Sequence, residues 1–166
     1  MILDPKMNYF PDPDEPELIP FALSFARMMF AHARFEARIR QVQGLVSGDQ
    51  KFGEAKKNQW SANERAARMT KLIASHLGQI PETKEIAECL AKSVRLSWER
   101  NLLAHGEWWA FDPEQQVITV RSGTDWPNDE QHQERSVAGI DRTTSDLLDV
   151  EAELYKLQSR IESNRG

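Results

Sequence analysis

Cysteine occurs once in the 166 residues, at Cys89, which excludes an intramolecular disulfide framework and a four-cysteine zinc site. The chain has no Gly-rich phosphate loop, no G-x-S-x-G elbow and no H-E-x-x-H, so the common nucleotide, serine-hydrolase and zinc-protease signatures are missing. No apolar run approaches the ~20 residues of a membrane span. The opening MILDPKMNYFPDPDEPEL is too acidic and proline-broken for a secretory signal. These absences lead us to expect a soluble, cytoplasmic protein with no metal, no cofactor and no membrane partner.

What is present is an ordinary globular mixture, 40% hydrophobic and 28% charged, enough for one domain with a real core. The formal charge of −5 argues against a broadly basic nucleic-acid binder. Counted by segment, however, it resolves into −4 over residues 1–20, +6 over 21–71, neutrality over 72–106 and −7 over 107–166. Such segregation fits either an anionic ligand at one face or complementary helices packed side by side.

Five of the eight prolines fall in residues 1–20, and residues 1–16 read as an extended acidic, Pro-rich leader. Beyond it, Leu18, Phe21, Phe25, Met28, His32, Phe35, Ile39 and Val42 alternate by three and four, predicting an amphipathic helix over about 17–46. Residues 47–60 read as a polar connection. Ser61 and Glu64 form a capping box for a second helix ending at Gly78, and Pro81 opens a third that runs to His105 and Gly106. EWWAF and QVITV, separated by DPEQQ, predict a small hairpin. Residues 122–139 read as irregular, and a last helix as 141–162. The expectation is all-α: an up-and-down bundle of four main helices over 17–163, a single domain, with a β-hairpin excursion after the third helix.

Of the four histidines, His32 and His76 lie in phase with apolar stripes and read as hydrogen-bonded core or interface imidazoles. His132 reads as solvated in a polar loop. His105 differs, because it ends the third helix in the run Arg100-Asn101-Leu102-Leu103-Ala104-His105-Gly106. Asn101 and His105 are four apart and share a helix face, and Arg100 is long enough to reach the same place. A guanidinium clamps phosphoryl oxygens while an imidazole moves a proton near neutral pH.

RNLLAH, an Arg followed by a polar residue and by a His five positions on, resembles the signature of the HEPN superfamily of small α-helical domains. The resemblance covers this motif and the helical layout over 17–163. It implies a metal-independent endoribonuclease acting as a homodimer, with two motifs meeting in a cleft between protomers. His105 would act on the ribose 2′-hydroxyl, Arg100 would stabilise the phosphorane-like transition state, and Asn101 would orient His105 or the phosphate. The product would be a 2′,3′-cyclic phosphate. Implied partners are RNA, a second copy and, in toxin–antitoxin or antiphage systems, an antitoxin or neighbouring defence protein. In one subgroup a modified Tyr stands two residues after the His; here that position is Glu107, followed by Trp108, which departs from that mode of neutralisation.

Other readings stay open. Arg100 can pair with Glu99 or an acidic residue of the last helix, and His105 can simply favour the helix C-terminus. The chain then becomes a non-catalytic HEPN-like binding or dimerisation module, or an unrelated self-associating bundle. Trp108 and Trp109 suit base stacking, but adjacent tryptophans more often place one ring in the core and one at an interface. Trp60 and Trp126 read as boundary packing. Arg27, Arg34, Arg38, Arg40, Lys51, Lys56 and Lys57 form either a phosphate-tracking surface or partners for Asp146, Asp149, Glu151 and Glu153.

Overall fold

A computed structural model describes residues 8–9, 11–12, 14–47, 62–77, 81–121 and 132–164. The expected polar connection, Trp60, Trp126, the three lysines at 51, 56 and 57, and the side chains of the capping box and of His76 lie outside the described residues. The elements are β1 (Asn8–Tyr9), a short 3-10 turn (Pro16–Leu18), α1 (Ile19–Ser47), α2 (Ala62–Leu77), α3 (Pro81–His105), β2 (Glu107–Asp112), β3 (Val117–Arg121), β4 (His132–Ser136) and α4 (Val137–Ser163). The protein is mainly helical, as its periodicity indicates. It divides into two compact units, one of Met1–Phe30 with Glu99–Ser145, the other of Ala31–Trp98 with Asp146–Gly166.

The first unit holds the sheet. The expected hairpin is there as β2 and β3, but it belongs to a four-stranded antiparallel sheet in the order β1-β2-β3-β4, so all-α was too narrow a description. The β2–β3 turn follows from Asp112-Pro113: the Asp112 carboxylate accepts the N–H groups of Glu114 and Gln115 at 2.9 and 3.0 Å, the local bonding that makes Asp a turn former. Gln116 closes the turn at φ 53°, a left-handed conformation that non-glycine residues adopt mainly in such turns. β4 and the first turn of α4 correct the expected irregular stretch 122–139. β4, HQERS, is polar on both faces because it is an edge strand, so it carries no hydrophobic alternation. α4 begins at Val137 rather than 141 because the Ser136 hydroxyl accepts the Gly139 N–H at 3.1 Å, an N-cap bond.

The core of this unit is built from Phe21, Met28, Leu102, Leu103, Phe111, Ile118, Val120 and Ile140, all buried. Phe21 and Phe111 meet edge to face with centroids 5.6 Å apart, an arrangement worth about 0.5–1.5 kcal/mol beyond its area burial. Where α3 gives way to β2, a β-carbon on Gly106 would collide with the Leu102 carbonyl and with Val120 Cγ1.

The second unit is wholly helical. Phe35, Ile39, Ile73, Ile86, Leu90, Leu147, Leu154 and Leu157 are buried in it. Its charges are matched across helices. Glu151 on α4 is only 6% exposed and accepts from Arg34 Nη2 at 3.0 Å and from Arg38 Nε and Nη2 at 3.2 and 3.1 Å. Lys92 pairs with Glu153, Arg95 with Asp146 and Arg160 with Glu85. Arg34 and Arg38 therefore pair with the acidic last helix.

Two substitutions check these contacts in urea denaturation. Gly106→Ala overpacks the α3–β2 junction and lowers stability by about 1–3 kcal/mol. Glu151→Ala takes the carboxylate from Arg38, which keeps its bonds to Gln41 and Gln158, and costs about 1–3 kcal/mol, whereas Arg34→Ala, removing a largely exposed partner, costs only about 0.2–1 kcal/mol.

Candidate functional site

The last turn of α3 carries the Arg-x4-His run, and each side chain has a distinct environment. Glu99 does not neutralise Arg100. It is held by Arg135 of β4, whose Nε and Nη2 donate to the two carboxylate oxygens at 2.8 and 3.2 Å, a two-point clamp with planar specificity. Arg135 also donates to the Glu134 carbonyl and the Gln133 side chain, both at 2.8 Å.

Arg100 is half-buried and donates from Nη1 to Asn101 Oδ1 at 2.6 Å. Its Nε is buried and has no acceptor among the described residues. No described carboxylate stands within ion-pair distance of it. Asn101 and His105 are exposed. Their four-residue separation puts them one helical turn apart, but among the described residues neither Arg100 nor Asn101 hydrogen-bonds His105. The structure thus joins Arg100 to Asn101 and leaves His105 alone at the helix end. Immediately beyond, the Gly106 N–H returns to the Leu102 carbonyl at 2.8 Å and closes α3. Chemically, the arrangement offers guanidinium donors that meet no anionic partner among the described residues and, one turn on, an imidazole open to solvent.

The two tryptophans after the motif face different ways. Trp108 turns inward, with its ring 5.9 Å from Phe25 and its indole N–H donating to the Leu103 carbonyl at 3.2 Å. Trp109 falls at the register shift between Trp108 and Ala110, a bulge, which is a means of re-aiming a side chain. Its ring lies 5.8 Å from His132 and carries the Arg121 guanidinium 5.2 Å from its centroid. His132 is exposed as expected, but it opens β4 instead of lying in a loop. Sequence reasoning passed over Arg121 and Arg135, since their relation to Trp109 and Glu99 arises only when β4 pairs with β3.

His32 is the core imidazole its stripe suggested: it is 7% exposed, with Nε2 3.4 Å from Ser97 Oγ. Cys89 is the other buried group with reactive chemistry. Burial, and then its hydrogen bond to Glu153, push the thiol up to about 12, with Sγ 3.4 Å from Glu153 Oε2. That same carboxylate raises Lys92, chiefly through the hydrogen bond it accepts from the ammonium. Among the described residues no group of three or more His, Cys, Asp or Glu is placed to hold a metal ion, and no helix is long and apolar enough to cross a membrane.

Comparison of the chain with protein-family models, with curated proteins and with solved structures gave no match in any of the three.

The Cys89 environment has a pH signature. A thiol held above its ordinary range is neutral in the fold, and the stability this confers is complete below about pH 9. It is lost as pH rises through about 12, because the unfolded chain ionises first. At pH 8 the native protein should therefore react with a disulfide reagent far more slowly than the protein in guanidinium, followed by absorbance of the released thiolate.

Proposed function

We propose that the chain is a HEPN-like, metal-independent endoribonuclease acting as a homodimer. The observation that carries this reading is the state of Arg100. Two neighbouring arginines of the same unit are each engaged by a carboxylate, Arg135 by Glu99 and Arg121 by Glu107. Arg100 meets none among the described residues and keeps a buried donor without an acceptor. An unneutralised, part-buried guanidinium favours a phosphate. The Asn101 carboxamide fixes the orientation of its fork, a positioning role beside the expected contact with phosphate or His105.

In this reading the helices form an up-and-down bundle, and the α3 ends of two protomers face one cleft. His105 removes the proton from the ribose 2′-hydroxyl. The 2′-oxygen attacks phosphorus, the bond to the 5′-oxygen breaks, and that oxygen takes up a proton. Arg100 stabilises the added negative charge on the phosphoryl oxygens. A 2′,3′-cyclic phosphate and a free 5′-hydroxyl result. Apolar surface for self-association is available on α1, where Ile19 and Leu23 are 54% exposed and Phe30 is 75% exposed, at spacings of four and seven that share a face. A cytoplasmic toxin or antiphage role, with an antitoxin or neighbouring defence protein as partner, fits such an activity.

One observation favours a second reading, a non-catalytic HEPN-like binding module: His105 has no hydrogen bond to the Arg100–Asn101 pair. Cleavage decides between the two. Purified protein should cut RNA in EDTA and leave cyclic phosphate ends. His105→Ala should lower the rate by about 10²–10⁴ and Arg100→Ala by about 10²–10³, both with unchanged melting curves. RNA cut equally well by His105→Ala removes the nuclease reading, and RNA bound but never cut supports the binding module.

A further inference from the structure

We infer that Trp109, Arg121 and His132 form a subsite that stacks an unpaired nucleobase of a single-stranded RNA, next to the phosphate-binding end of α3. This rests on the nuclease reading for its substrate, but its own warrant is the placement of three side chains. Glu107, Arg121 and His132 occupy one cross-strand row, with Glu107 opposite Arg121 and Arg121 opposite His132. That row begins two residues after His105. The sheet end and the helix end are therefore tied by the shortest possible stretch of chain, and both belong to the same compact unit.

The bulge falls at Trp109, whose half-buried indole lies beside this row, while the half-buried Trp108 packs on Phe25. The Arg121 guanidinium lies 5.2 Å from the indole centroid and the exposed His132 ring 5.8 Å from it, tilted by 56°. A partly open indole with a planar cation over one face and a second, tilted planar ring beside it matches the chemistry with which proteins hold single-stranded bases. Every base has a π-face, and stacking needs no particular hydrogen-bond code.

The charges separate two tasks. Glu107 Oε2 is 3.8 Å from Arg121 Nε, so Arg121 is partly neutralised and its contribution is the flat guanidinium. Arg100, without a carboxylate among the described residues, is left for the phosphate. A nucleic-acid partner explains both a flat aromatic platform and a separate cation with no carboxylate among the described residues, whereas an acidic protein segment would use the cation and leave the platform without purpose. Stacking of this kind predicts tolerance of sequence, with purines held more tightly than pyrimidines through their larger rings.

The test uses a short fluorescein-labelled, single-stranded 2′-O-methyl oligoribonucleotide, which lacks the free 2′-hydroxyl and is not consumed. Fluorescence anisotropy with the full chain should show Trp109→Ala binding about tenfold more weakly than the parent and Trp109→Phe close to it. Trp109→Leu, apolar but without a stacking face, replaces Trp109→Ala if the latter loses its cooperative melt. Equal binding by the parent and by these two aliphatic variants overturns the subsite, as does absence of binding by the parent. Cleavage of unmodified RNA by the parent and by His105→Ala judges the nuclease reading separately. Cleavage with no effect at Trp109 refutes the subsite alone. Weakened binding at Trp109 with cleavage unaffected by His105→Ala refutes the nuclease alone.

Discussion

At Gly106 the backbone passes so close to the Leu102 carbonyl and the Val120 side chain that no β-carbon fits. The arrangement of the sheet-bearing unit follows from that approach. Because α3 stops there and β2 starts one residue later, His105 is held at the boundary between helix and sheet. Glu107 becomes the first residue of a strand whose register is already fixed against β3. Packing Leu102, Leu103, Phe111, Ile118 and Val120 into one core depends on the same turn, since a longer connection would move β2 off the helix end. A single residue without a side chain thus sets both the core of the unit and the position of the candidate site.

Charge is distributed with comparable economy. The basic stretch of α1 and the acidic tail, opposed in sign along the sequence, meet at Glu151, which takes hydrogen bonds from Arg34 and Arg38 while nearly excluded from water. Desolvating a carboxylate is tolerated when its oxygens are this fully engaged. The pairs of Lys92, Arg95 and Arg160 are more open and individually weak. Against this background Arg100 stands out by a buried Nε that has no acceptor among the described residues.

The helices were legible because their apolar residues recur at three and four, a signal that burial on one side writes into any amphipathic helix. α3 was read to its ends, Pro81 and His105, because proline and glycine mark both. The Asp-Pro turn likewise revealed β2 and β3. β4 was hidden, since an edge strand of His, Gln, Glu, Arg and Ser has no reason to alternate. With it went every relation that depends on strand pairing: Arg135 on Glu99, Arg121 opposite His132, and the platform around Trp109. Arg100, Asn101 and His105 could be singled out by spacing alone. That Asn101 would face Arg100 rather than His105 could not, because both contacts are open to a side chain at that position.

The composition of β4 also governs how the sheet can grow. Its outer edge presents a backbone flanked by an exposed imidazole and an exposed carboxylate, at His132 and Glu134, with Arg135 committed inward. A fifth strand arriving there would have to desolvate those groups for little apolar gain. The edge is accordingly a poor seed for strand-by-strand aggregation. The exposed apolar side chains of α1, Ile19, Leu23 and Phe30, lie on a helix and offer no such backbone edge.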